Sequence, residues 1–367
     1  MGREWKDVKE ELDNLDKAYN FSVQRNYKEL LNSFENMDEV LDNMKLAVKL
    51  KPRMQSLINR QKDILEHYEL RKDFHNVITV KLVIPGKCNM NCPFCYNKFK
   101  DDSTYCYCDD REAFLENFID HIYMILSEVN GRYPVSLDIT GYEPLINIAF
   151  IKKVFSRIRT SGIKDKLCRV TLTTNGVFLT NEIIPYMCGA VDYVNISVHD
   201  YRDKERNEAF GKDMGALNYE DKVFSLLDNG ITTSASAVIY KEIDNFESFL
   251  YLFIGFCYAN GFQSLRLRND VYWKDSKFLE YMEETMKNPR FIIVENEDTK
   301  DARWCRLYDT LSGLQIFFLK GVEDTSVLSP GIEYVVDSDG ECYVDFYRRT
   351  KFVDKKFPAG YIFDKKD

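Results

Sequence analysis

The sequence predicts an α/β fold built on a parallel sheet, and three observations carry that expectation. From Asn76 onward, short β-branched runs alternate with helical segments. Six such strands follow one another up to Asn269, each separated from the next by a helix. Polar and glycine residues gather at the strand ends. Alternation of this kind gives βα units, and ligand sites in such sheets lie at the carboxyl edge.

Val77–Ile84 is expected as the first strand. Arg111–Val129 follows as a helix because Phe114, Phe118, Ile122 and Ile125 fall on one face. Val135–Thr140 is expected as a strand, Asn147–Ser161 as a helix and Arg169–Thr174 as a strand. Asn181–Cys188 reads as a short helix, Asp192–Val198 as a strand and Tyr219–Asp228 as a helix. Thr232–Tyr240, Phe246–Asn260 and Ser264–Arg268 complete the series as strand, helix and strand. Beyond Asn269 the alternation stops. Ile332–Val336 and Glu341–Phe346, joined by Asp337-Ser338-Asp339-Gly340, read as a β-hairpin with a four-residue turn.

The stretch before Asn76 has a different texture, polar and helical. Leu57, Ile58, Ile64, Leu65 and Tyr68 recur at helical spacing after Pro52, and Leu41, Met44 and Val48 form a shorter stripe. A helical extension over 1–75 is therefore expected, either a packing cap or a docking module for a partner or peptide. The remaining division is 76–269 for the α/β unit and 270–367 for a small C-terminal α+β domain.

The 367 residues are 45% hydrophobic, enough for a sizeable core. Fifty basic against 59 acidic side chains leave a formal charge of −9, which disfavours nucleic acid as a partner. The charged opening MGREWKDVKEELD lacks the apolar core of a signal peptide, and no apolar run approaches the about 20 residues of a membrane span. A cytoplasmic protein without membrane contact is expected. Its ten cysteines are then free thiols or metal ligands before they are disulfides.

Three of them stand out. Cys88, Cys92 and Cys95 are separated by three and two residues in a loop that follows the first strand directly. That spacing can turn three thiolates toward one point, and thiolates are the ligands of iron–sulfur clusters. Three cysteines leave one iron of a cubane open to a small molecule. Zinc is the rival, but a closed zinc site needs a fourth ligand, and Cys106 and Cys108 are not spaced as the second half of a ribbon or knuckle.

The C-x3-C-x2-C loop, with Phe94 before its last cysteine and Tyr96 after it, resembles the signature of the radical SAM superfamily. The resemblance implies a [4Fe–4S] cluster on Cys88, Cys92 and Cys95 whose open iron binds S-adenosylmethionine. It also implies reductive cleavage to a 5′-deoxyadenosyl radical, and an electron donor such as flavodoxin or ferredoxin. Further positions support it. Thr140-Gly141-Tyr142-Glu143-Pro144 stands where the family carries Gly-Gly-Glu-Pro, with Tyr142 in place of the second glycine and Glu143 keeping the carboxylate for the methionine ammonium. Thr173-Thr174-Asn175-Gly176 is similar to the family's Thr-Asn-Gly turn, which implies cofactor contacts for Thr173 and Asn175. Ser197 matches the serine that reaches the methionine carboxylate or ribose. Gly211-Lys212 sits where some members place Gly-Arg, making Lys212 a candidate for that carboxylate and Arg206 its rival. These signals span about Asn76 to Asn269 and imply a partial (β/α)6 TIM barrel.

Other residues stay open on sequence alone. His199 is a proton shuttle, a substrate ligand or a structural histidine. Cys106 and Cys108 are hydrogen-atom donors or ordinary thiols. Arg266 and Arg268 share a strand face by period-two spacing and either bind an anionic substrate group or pair in the core. The C-terminal segment, with Cys305, Cys342, Asp345 and Pro358–Ile362, resembles an eroded SPASM or twitch domain. Two thiols cannot hold an ordinary four-thiolate cluster, so no auxiliary cluster is expected.

The resemblance leads to a peptide-modifying enzyme that abstracts hydrogen from a peptide or protein side chain, with a nucleotide or other small molecule as the alternative substrate. A non-catalytic iron–sulfur or zinc-binding barrel is the alternative of another class, and Tyr142 is the feature that favours it.

Overall fold

The structure is a computed structural model that describes residues 77–95, 111–129, 131, 134–215, 217–270, 276–298, 303–320, 333–338 and 340–343. The chain divides into Met1–Arg71 and Lys72–Asp367, and every described residue belongs to the second unit. The stripes read before Asn76, Tyr96, Cys106, Cys108, Asp345 and Pro358–Ile362 lie outside the described residues.

The β-branched runs form strands β1 (Ile78–Ile84), β2 (Val135–Gly141), β3 (Arg169–Thr174), β4 (Tyr193–Ser197), β5 (Thr232–Ile239) and β6 (Ser264–Asn269). They pair in sequence order, all parallel. Between them run α1 (Arg111–Val129), α2 (Ile148–Thr160), the single turn α3 (Ile184–Met187), α4 (Asp203–Phe210), α5 (Tyr219–Asp228) and α6 (Phe246–Ala259). Three of the helices start on an asparagine cap. The side-chain oxygens of Asn147, Asn218 and Asn245 accept from the backbone N–H three residues on, at 3.0–3.1 Å. This is the parallel sheet of βα units that the alternation predicted and the partial-barrel architecture that the resemblance implied.

Helix α7 (Phe278–Lys287) and strands β7 (Phe291–Asp298), β8 (Arg303–Asp309) and β9 (Gln315–Lys320) follow where the sequence alternation had ended. They form an antiparallel meander whose last strand pairs parallel to β6. At the other edge β10 (Glu333–Val336) pairs parallel to β1 and antiparallel to β11 (Cys342–Tyr343). The C-terminal segment thus contributes strands to both ends of one sheet, ordered β11-β10-β1-β2-β3-β4-β5-β6-β9-β8-β7. The expected hairpin is present, and Gly340 closes its turn with an N–H to the Asp337 carbonyl at 2.9 Å.

Period-two alternation gives the sheet two unlike faces. The outer face is apolar: Leu82, Ile139, Leu172, Ile196, Ala235 and Leu265, one from each parallel strand, are wholly buried in the core. Burying a leucine or isoleucine side chain stabilises by about 1.5–3 kcal/mol, so this face carries the fold. From β2 to β6 the inner face is mostly polar. Tyr193 of β4 and Ser264 of β6 hydrogen-bond across β5 at 2.6 Å, and Ser234 donates to Asn195 at 2.7 Å.

Candidate active site

The cysteine loop leaves the carboxyl end of β1 and is pinned from two sides. The Asn91 N–H donates to the Phe210 carbonyl at 2.8 Å, and the Cys95 N–H to the Cys92 carbonyl at 3.2 Å. Gly211 caps α4 with φ 61°, and a Cβ there would stand 2.3 Å from the Asn91 carbonyl oxygen. Only glycine permits both the left-handed conformation and that approach. On the other side the Asn175 amide donates to the Asn89 side-chain oxygen at 2.7 Å. Cys88, Cys92 and Cys95 are half-buried and form no disulfide.

Burial pushes the Cys88 thiol up, the Met90 N–H on its sulfur at 3.4 Å pulls it back in part, and the charge of Glu143 adds to the rise. A bound metal would reverse this, since coordination deprotonates a thiol. Among the described residues no three His, Cys, Asp or Glu side chains form a group suited to a single metal ion. A cubane takes each thiolate on a different iron and so accepts a more widely spread set. Three thiols outside any disulfide on one short loop, with backbone anchors that fix its course, fit that larger group.

Glu143 organises the strand ends beside the loop. Its carboxylate is buried, with Oε1 accepting from the Leu145 N–H at 3.0 Å and the Thr174 hydroxyl at 2.7 Å. Oε2 accepts from the Asn175 N–H at 2.8 Å. Burial raises its pKa, against the pull of these three donors. Oε2 has one further lone pair to offer a cation. The tyrosine at 142 does not disturb this turn. The residue needing glycine is Gly141, at φ 133°, where a Cβ would lie 3.0 Å from the Ile84 carbonyl oxygen.

At the end of β4, Ser197 is half-buried on the inner face, and two residues on His199 has φ 64°, the one positive φ outside glycine among the described residues. Its Nδ1 accepts from the Val238 N–H at 3.3 Å, which places the ring proton on Nε2. The ring stands edge-on to Phe94 and Phe210, each 4.8 Å away between centroids. Burial pushes its pKa down to about 3. A histidine held neutral so far below its ordinary range is a poor proton shuttle near pH 7, and its contacts make it the wedge between the cysteine loop and α4. Phe94 also packs on Tyr240 at 4.9 Å. A cleft of about 310 Å³ opens here, lined by residues including His199, Asp200, Arg202, Tyr240 and Lys241.

The two candidate cations separate. Lys212 donates its ammonium to the Asn89 carbonyl at 3.4 Å, at the cysteine loop. Arg206 is buried and committed to the Asp200 and Tyr201 carbonyls at 3.0 and 2.9 Å and to Asp203 at 2.7 Å, which removes it as a rival. Thr173 and Ser197 lie on the inner face in neighbouring strands, with Thr173 opposite Asn195. Cys305 and Cys342 are buried in strands at opposite ends of the sheet order, and burial pushes Cys342 up to about 12. Sequence reasoning did not single out Asn89, Thr174 or Phe210, which hold the loop and Glu143 in place. Their signal was only adjacency to the motifs.

A thiol-bearing loop at the carboxyl edge of a parallel, incompletely closed barrel is the arrangement of a cluster-dependent α/β enzyme. Comparison points to one such class: residues 82–249 match the Radical SAM superfamily. Enzymes of that superfamily use a [4Fe–4S] cluster and S-adenosylmethionine. The GTP 3',8-cyclase of Aquifex aeolicus is 22% identical over 46% of this chain and 49% of its own length. That of Lactiplantibacillus plantarum is 30% identical over 34% of each chain. The chain spans about half or less of the length of these relatives. Streptococcus suis SuiB superposes with a TM-score of 0.49 at 13% identity, over 89% of this chain and 71% of that one. Among the described residues no helix is long and apolar enough to cross a membrane.

Proposed function

We propose that the protein is a radical SAM enzyme that abstracts a hydrogen atom from an organic substrate at the inner face of the sheet. The observation that carries this is the loop of Cys88, Cys92 and Cys95, anchored by Asn175 to the same turn that supplies Glu143. Those three thiolates would hold the cluster. Glu143 would take the methionine ammonium on its remaining lone pair, with Gly141 and Thr173 shaping that side. Asn175, Ser197 and Lys212 would face the carboxylate and ribose, and Phe94 and Tyr96 would flank the adenosine. When bound and reduced, the cluster supplies the electron that splits the sulfonium into methionine and a 5′-deoxyadenosyl radical. An external donor such as flavodoxin or ferredoxin would provide that electron.

For the substrate we read a peptide or protein side chain, supported by the resemblance of the segment around Tyr334–Cys342 to the C-terminal domain of peptide-modifying relatives. A nucleotide is the second reading, favoured by the curated relatives named GTP 3',8-cyclase. Anaerobic reconstitution, reduction and addition of S-adenosylmethionine should give 5′-deoxyadenosine in the native protein and none in Cys92→Ala. Zinc in place of iron, or product independent of Cys92, would sink the proposal. Stimulation by GTP and not by peptides encoded near the gene would select the second reading.

A further inference from the structure

We infer that Arg266 is a specificity-determining anchor for an oxyanion on the substrate, a carboxylate or a phosphate, bound against the inner face of the sheet. The inference rests on the reading of that face as the substrate side.

Arg266 stands on β6 opposite Ser236 of β5 and Phe317 of β9, and Ser236 stands opposite Ser197 of β4. It therefore belongs to the same cross-sheet row as Ser197, two strands away. Leu265 and Leu267 on either side of it point into the apolar core, so the guanidinium lies on the polar face. It rests on the Phe317 ring, 5.6 Å from the centroid, which restrains the plane of the fork.

Within this row its donors are unspent. Nε is buried and has no hydrogen-bond partner. Two other arginines tucked into the fold are satisfied: Arg206 by two carbonyls and Asp203, Arg290 by both oxygens of the buried Asp309. An arginine stays charged at any working pH, and a shielded charge without a counter-group is unfavourable. Two more buried polar atoms without partners lie on the same face, Asp138 Oδ1 and Thr171 Oγ1, on residues opposite each other in β2 and β3. A surface that leaves these polar atoms open is shaped for a ligand. The fixed planar fork selects the ligand group, since it matches carboxylate and phosphate oxygens bidentately.

The test uses the full chain, reconstituted anaerobically, with calorimetric titration of pyrophosphate and of succinate into the native protein, Arg266→Gln and Arg266→Lys. One of the two anions should bind the native protein, at least tenfold more weakly Arg266→Gln, and Arg266→Lys at an intermediate strength. Pyrophosphate as the winner identifies a phosphate source, succinate a carboxylate source. Binding of neither anion, or equal binding by all three proteins, overturns the inference. So does a loss of S-adenosylmethionine affinity in Arg266→Gln, which would assign the guanidinium to the cofactor's carboxylate. Should Arg266→Gln fail to melt cooperatively, the comparison with Arg266→Lys decides alone. Arginine-dependent anion binding without cofactor cleavage by the native protein would instead count against the radical chemistry.

Discussion

The two faces of the parallel sheet are made from the same strands and obey opposite rules. On the outer face each of Leu82, Ile139, Leu172 and Leu265 is sealed in the core. On the inner face Asp138 and Thr171 keep buried atoms without partners, and Arg266 does the same with a charge. The outer face carries stability, because burial of apolar area is non-directional and additive. The inner face bears a stability cost that the outer face does not, since an unpartnered buried polar group costs about 1–3 kcal/mol. Substitutions that treat the faces differently test whether that division is real.

The largest contrast is expected at the rim where the faces meet. His199 is neutral when folded, with its pKa pushed down to about 3, and titrates near 6.5 when unfolded. Between those values the unfolded chain binds the extra proton, so stability is full above about 6.5 and falls as the pH drops toward 3. The whole window is worth roughly 5 kcal/mol. His199→Asn keeps a side chain that tolerates the left-handed backbone and removes the titration. Its urea midpoint should vary less between pH 7 and pH 4 than that of the native protein. Equal slopes would mean that the imidazole is not buried as described.

Next in size is Leu172→Ala on the outer face, which should cost about 2–5 kcal/mol by equilibrium unfolding, as a wholly buried leucine does when truncated. A cost under 1 kcal/mol would show that the core there can collapse onto the gap.

Gly211→Ala acts on the site. The new Cβ would collide with the Asn91 carbonyl at 2.3 Å on a backbone with φ 61°, and something must shift. About 1–3 kcal/mol of stability should be lost. The iron content after reconstitution should fall more than the melting temperature suggests, because the displaced backbone belongs to the cysteine loop. Full iron loading in Gly211→Ala would disconnect α4 from that loop.

The same contrast explains what the sequence disclosed. Strands with an apolar outer and polar inner set announce themselves by alternation, and β3, α1 and α5 have the bounds read for them. Helix α4 escaped because five of the eight residues of DKERNEAF are charged and it buries only Arg206, Ala209 and Phe210. The meander β7–β9 escaped because Phe291–Asp298 runs from apolar to acidic without alternation. The cysteine spacing was legible because it is local. The bonds from Asn175 to Asn89 and from Asn91 to Phe210 join residues 86 and 119 apart in the chain, and only the fold brings them together. Tyr142 looked like a defect in the motif for a related reason: sequence does not say which position of Gly-Tyr-Glu carries the positive φ, and here Gly141 does.

The smallest effect is the most discriminating. Thr171 is the neighbour of Leu172 on β3 and faces the other way, 4% exposed, with its hydroxyl unpartnered. Thr171→Val keeps the shape and the β-branched fit to the strand and removes only the unsatisfied group. At an ordinary buried site this loses a hydrogen bond and costs about 1 kcal/mol. Here no bond is lost, so stability should be unchanged or raised by up to about 1 kcal/mol in denaturant unfolding. A stabilised Thr171→Val with weakened substrate turnover is the result expected of a hydroxyl kept for a ligand. A clear destabilisation would mean that the hydroxyl is already satisfied in solution, and the inner face would lose one of the open atoms on which its reading as a binding surface rests.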